Sequence, residues 1–87
     1  MLTISQPAYD RLSQILADRP QDVAARIFLE QGRARIRPGR RRPGDWVLVH
    51  NGRTVLLLDA QTARRLDERT LGIRQTADGP RLRLQRM

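Results

Sequence analysis

The chain has 87 residues, with 17 arginines, no lysine, nine acidic residues and one histidine, for a formal net charge of +8, and it contains no cysteine. That inventory excludes disulfide staples, thiol nucleophiles, thiolate-held metals and paired-histidine sites. The longest aliphatic run, Val55-Leu56-Leu57-Leu58, falls far short of the roughly 20 residues a membrane helix needs, and Met1-Leu2-Thr3-Ile4-Ser5 lacks the basic n-region of a signal peptide, so a cytoplasmic chain without a membrane partner is expected.

Residues 1–5 read as a short leading segment. Ser5 is a good N-cap, and Pro7 sits in the first turn, where a missing N–H costs nothing. Ile4 and Tyr9 have the spacing of a hydrophobic staple. Ala8, Leu12, Ile15 and Leu16 form one apolar helix face, and the helix is expected to stop near Asp18, ahead of Arg19-Pro20. The period then changes. Ala25–Glu30 reads as a strand with Ile27 and Leu29 on one face, broken at Gly32. Arg33–Arg37 alternates, with three arginines on one face and Ala34 and Ile36 on the other, as in a charged edge strand. Pro38-Gly39 should end it and leave a basic loop, Arg40–Asp45.

Trp46–His50 and Arg53–Leu58 flank Asn51-Gly52, the strongest short-range hairpin signal. A two-residue turn pairs His50 with Arg53, Val49 with Thr54 and Leu48 with Val55. The continuous apolar second arm suggests a central strand. Asp59 reads as a second N-cap for a helix over 60–66. Leu71 and Ile73 alternate, Asp78-Gly79 offers a turn, and Leu82 and Leu84 alternate on a last strand. The order α-β-β-β-β-α-β-β describes one α+β, mainly β domain over 1–87. A domain of this size buries only about 60–65% of its unfolded surface, so its core is thin and a homo-oligomer is compatible with it.

The pattern resembles the A-type iron–sulfur carriers, the IscA/HesB-like family. Leu2-Thr3-Ile4-Ser5 with Ala8, Leu12 and Leu16 is similar to that family's first strand and helix, and Ala25-Arg26-Ile27-Phe28-Leu29 to its next strand. Gly44-Asp45 precedes Trp46-Val47-Leu48-Val49 as in the family. The order Asn51-Gly52, Val55 to Asp59, Leu66-Asp67, then Thr70-Leu71-Gly72-Ile73 also matches. The resemblance implies a β-sandwich or barrel-like mixed sheet with an N-terminal helix and a short second helix. It also implies three cysteine ligands for a [2Fe–2S] cluster or iron, one in a loop after the second strand and two in a Cys-x-Cys tail. Here the loop is Gln31-Gly32-Arg33 and the chain ends Gln85-Arg86-Met87, so the fold carries over and the ligands do not. No cofactor is expected, because thiolates hold such clusters. Glu68 stands where the family has Gly after Leu-Asp.

No nucleophile elbow, phosphate loop or dinucleotide fingerprint is present. Gly39 and Gly44 have phosphate-loop spacing, but no Lys-Ser/Thr follows, and a non-catalytic protein is expected. His50 reads as a turn histidine. Asp45, Asp59 and Asp67 read as turn and cap residues rather than metal ligands. The concentrated candidate is Arg33, Arg35, Arg37, Arg40, Arg41 and Arg42. GC-rich coding also replaces lysine by arginine at solvated positions, so this stretch reads as a solvated edge or as a binding surface. As a surface it fits an acidic protein partner, in an accessory interaction module linked to iron–sulfur or sulfur metabolism. The alternative is a small nucleic-acid-binding protein, for which Tyr9 and Phe28 are expected in the core and Trp46 is the remaining stacking platform.

Overall fold

The computed structural model describes residues 2–86. Its elements are β1 (Thr3–Ile4), α1 (Gln6–Leu16), β2 (Val23–Glu30), β3 (Arg33–Arg40), β4 (Trp46–His50), β5 (Arg53–Leu58), α2 (Ala60–Arg65), β6 (Arg69–Thr76) and β7 (Gly79–Arg86). They form two mixed sheets, β3-β2-β5-β4 and β1-β6-β7. β2 runs parallel to β5 and β1 parallel to β6, and the other pairs are antiparallel. The fold is mainly β with an N-terminal helix and a short second helix. β1 is absent from the order read from periodicity but is the first strand that the resemblance of Leu2–Ser5 implied; it is held by two pairings with β6 and by the Ser5 N–H donating to the Leu71 carbonyl at 3.0 Å.

The Ser5 hydroxyl accepts from the Ala8 N–H at 3.3 Å and starts α1. Ala8, Leu12 and Leu16 are buried. They join Ala25 and Ile27 of β2, Val55, Leu56 and Leu58 of β5, and Leu71 of β6 in one aliphatic cluster, so α1 is wedged against both sheets. Ile15, expected on that stripe, is 39% exposed. At 100° per residue it lies about 60° around the helix from Leu12, just outside the buried line. The helix ends at Leu16 with Ala17 as cap, slightly ahead of the expected stop.

Three other expectations are corrected. β3 continues through Pro38-Gly39 to Arg40. It is an outer strand, where a residue without an N–H is tolerated, and a side chain at Gly39 would meet Arg26. Gly32 does not merely interrupt a strand. Gln31 (φ 52) and Gly32 (φ 75) make a tight two-residue turn joining β2 to β3, as Asn51 (φ 52) and Gly52 (φ 76) join β4 to β5. In the second hairpin His50 pairs with Arg53 and Val49 with Thr54, as expected, but Leu48 pairs with Leu56 because the register shifts between Leu48 and Val49. The bulge leaves Val55 as the extra residue and bends the strand, which lets Val55, Leu56 and Leu58 all reach the core.

β5 is central, as its apolar run implied, and Val55 to Leu58 are buried throughout. Asp59 caps α2, its Oδ1 accepting from the Thr62 N–H at 2.7 Å. The last turn sits at Ala77-Asp78, one residue earlier than expected, and Gly79 (φ 101) supplies the left-handed step.

Candidate docking surface

β3 is the outer strand of the four-stranded sheet. Its register sets Arg33 opposite Glu30, Arg35 opposite Phe28 and Arg37 opposite Arg26. Residues directly opposite share a face, so Arg33, Arg35 and Arg37 stand in one row on the side away from Ala34 and Ile36, and all three are exposed. Phe28 is in that row and half-buried, not in the aliphatic core where it was expected. The Arg37 guanidinium carbon lies 4.9 Å from its ring centroid, a cation–π contact that occupies the ring face.

The other three candidates are placed differently. Arg40 pairs with Val23, on the opposite side of the alternation, and its Nε donates to Asp22 Oδ2 at 2.7 Å. That hydrogen bond, with the charge of Arg40 behind it, holds the Asp22 carboxyl below its ordinary value. Arg41 and Arg42 are exposed in the loop at 41–45. The Arg42 N–H donates to Asp45 Oδ2 at 2.7 Å.

Arg26 is the anchor of that loop. Its Nη1 donates to Asp45 Oδ1 at 3.1 Å, its Nη2 to Asp45 Oδ2, and Nη2 also to the Arg40 carbonyl at 3.2 Å. The side chains are 13% and 3% exposed. Bidentate geometry of this kind is among the stronger polar contacts in proteins. The Arg26 hydrogen bonds push the Asp45 carboxyl down, and Asp45 in turn raises Arg26, with a smaller contribution from Asp59. The ion pairs among the described residues join Arg26 to Asp45, Arg40 to Asp22 and Arg81 to Asp78. Arg33, Arg35, Arg37 and Arg41 therefore carry charge with no carboxylate partner among those residues, while the charge of Arg42 helps to hold the Asp45 carboxyl down.

His50, expected as an exposed turn residue, is instead half-buried because it stacks on Tyr9, with ring centroids 4.6 Å apart and planes 13° apart. Among the described residues no group of three His, Asp or Glu side chains is placed to hold a metal ion. No helix among them is long and apolar enough to cross a membrane.

One feature escaped sequence reasoning. A cleft of about 1140 Å³ lies between the β2–β3 hairpin and the β6–β7 hairpin. Its floor is aliphatic, including Ile15, Leu29, Ile36, Leu82 and Leu84, and no aromatic residue lines it. Arginines from α1, β3, β6 and β7 rim it, against one carboxylate among the described residues, Asp78, itself 3.7 Å from Arg81. The alternation of Ala34 with Ile36 and of Leu82 with Leu84 signalled apolar faces, but nothing local says that no further strand covers them.

No protein-family model matches the chain, and no curated protein matches its sequence. Among solved structures, the fold is similar to SufA of Escherichia coli, involved in biosynthesis of iron–sulfur clusters. The TM-score is 0.82 at 17% identity, over 98% of this chain and 84% of that one. It is also similar to IscA with the [2Fe–2S] cluster, with a TM-score of 0.64 at 14% identity, over 99% of this chain and 85% of that one. At such identities the likeness is one of fold. The donor set does not fit a cluster: the chain has no thiolate, which such clusters require, and the loop after β2 is closed to the tight turn Gln31-Gly32.

Proposed function

We propose that this chain is a non-catalytic, cluster-free protein of iron–sulfur-carrier fold that docks an acidic protein surface through Arg33, Arg35 and Arg37 of β3 and Arg41 and Arg42 of the following loop. It serves as an accessory module beside iron–sulfur or sulfur metabolism. The observation that carries this reading is the row of unpaired arginines on an outer strand. The neighbouring Arg26 and Arg40 are neutralised internally, so charge is retained where a partner can reach it. Complementary charge of this kind raises association rates and orients the encounter.

The nucleic-acid alternative is less well supported. Stacking platforms anchor single-stranded recognition; the one aromatic ring in the row, Phe28, is already covered by Arg37, and Trp46, the expected platform, is 44% exposed but lies on β4 at the opposite edge of the sheet from the arginines. The test is capture of acidic proteins from nuclease-treated host lysate by the tagged chain and by a variant with Arg33, Arg35 and Arg37 replaced by Ser. Capture should be lost in the variant while the melting temperature falls only by what the Arg37–Phe28 contact is worth, about 0.5–1 kcal/mol. Capture that survives the triple change rejects this surface, and capture that disappears with nuclease alone favours the nucleic-acid reading.

A further inference from the structure

The cleft between the two hairpins is lined in an unusual way. A strand that presents a face to a cavity contributes alternate residues. Here β3 contributes the unbroken stretch from Arg33 to Pro38, next to Gly32 of the preceding turn, and β7 the unbroken stretch from Pro80 to Leu84. Both strands therefore meet the cleft edge-on. Both are also the terminal strands of their sheets, so each has an edge with no strand partner among the described residues. An open edge with unpaired N–H and C=O groups is a template for another strand.

The cleft is large enough to take a strand. A seven-residue strand is about 23 Å long, and at strand and sheet spacings of about 4.8 and 10 Å it fills about 1,100 Å³. The cleft, about 1140 Å³ and open to solvent on one side, has room for such a segment, and β3 lines it from Arg33 to Pro38. Its chemistry narrows the occupant further. The aliphatic floor accepts Val, Ile or Leu from alternate positions, and the absence of aromatic lining offers nothing for a nucleobase to stack on. The cationic rim is spread along both edges, which suits carboxylates repeated along a segment better than a single anionic head. A second copy of this chain is disfavoured, because its own β3 would bring arginine against arginine, and like charges across an interface cost affinity.

We infer that the cleft is a strand-acceptor site: an extended acidic segment of a partner protein, alternating aliphatic and carboxylate residues, adds to the open edge of β3 or β7, with aliphatic side chains inward and carboxylates on the arginine rim. This is recognition by strand addition, in which main-chain hydrogen bonds supply affinity and alternate side-chain pockets supply specificity. It rests on the acidic-partner reading above and specifies how that partner is held.

The test uses the intact chain and three fluorescent ten-residue peptides. One alternates Val and Glu. The second has the same sequence with alternate backbone amides N-methylated, so that charge and side chains are kept and donors on one edge are lost. The third has Ser in place of every Val. The first is expected to bind, and the second and third to bind more weakly by at least about tenfold, since each loses several hydrogen bonds or apolar contacts. In amide exchange, binding of the first peptide should protect backbone N–H groups within 33–38 or 80–84. Equal binding by all three peptides, with steep salt dependence, overturns the strand-acceptor site and leaves the acidic-partner reading standing. Absence of binding by all three, while the tagged chain still captures acidic proteins through its β3 arginines, does the same. New protection elsewhere in the chain also overturns it. Capture that is indifferent to the β3 arginines overturns the docking reading itself.

Discussion

Replacing Asp45 with Asn would leave the Arg26 guanidinium enclosed and without its counter-charge. Asp45 accepts from Nη1 and Nη2 of Arg26 and from the Arg42 N–H, and the two side chains are only 13% and 3% exposed. Breaking such a pair from one side typically costs about 3–5 kcal/mol. The Asn carbonyl keeps one acceptor, so a loss of about 2–4 kcal/mol is expected. For a domain of this size that lowers Tm by roughly 10–25 °C. Urea unfolding followed by Trp46 fluorescence measures it directly, with the m-value unchanged.

The pH dependence gives a second reading of the same pair. The folded-state pKa of Asp45 lies below its ordinary value of 3.8. Its contribution is therefore fully present above that value and is lost as pH falls through the folded pKa. The Asn variant lacks this component, so the stability gap should be full at neutral pH and narrow steadily below about pH 4. A double change, Arg26→Met with Asp45→Leu, should recover much of the loss, because removing both charges leaves no unpaired ion. A loss under about 0.5 kcal/mol, the scale of an exposed pair, or a gap that does not narrow in acid, would refute the reasoning.

Two further changes test the backbone and a loop anchor. Glu68 is held at φ 65, a conformation that costs a side-chain-bearing residue about 1 kcal/mol or more. Glu68→Gly should therefore raise stability by about 0.5–1 kcal/mol after the added unfolded-state entropy is counted, read as a higher Tm; a lower Tm contradicts it. Arg53 Nη2 donates to the carbonyls of Arg19 (3.3 Å), Pro20 (2.9 Å) and Val23 (3.2 Å). Arg53→Met should cost about 1–2 kcal/mol and speed amide exchange in the loop between α1 and β2, whereas unchanged exchange there would show that the loop holds without it.

The arginine row is legible in the sequence, because Arg33, Arg35 and Arg37 alternate with Ala34 and Ile36, and two-residue periodicity is itself a statement about faces. What that pattern did not show is how the six candidate arginines divide. Arg40 is one step out of phase and turns to Asp22, and the loop carrying Arg41 and Arg42 is fastened by Arg26, nineteen positions before Asp45. Pairings across such distances leave no local mark. The same holds for Tyr9 against His50, and for the cleft, whose existence depends on two hairpins facing each other without a strand between them.

Read alone, the sequence determined those features whose physics is local. The caps at Ser5 and Asp59 satisfy helix N–H groups within three residues, Asn51-Gly52 accepts positive φ without strain, and a chain without cysteine cannot hold a cluster by thiolates. Tertiary structure decided the rest. The Leu48–Val49 bulge, the run of β3 through Pro38-Gly39, the turn at Gln31-Gly32 and the two open edges beside the aliphatic floor are set by which strand lies next to which, and that depends on burying one shared core rather than on any residue's own preference.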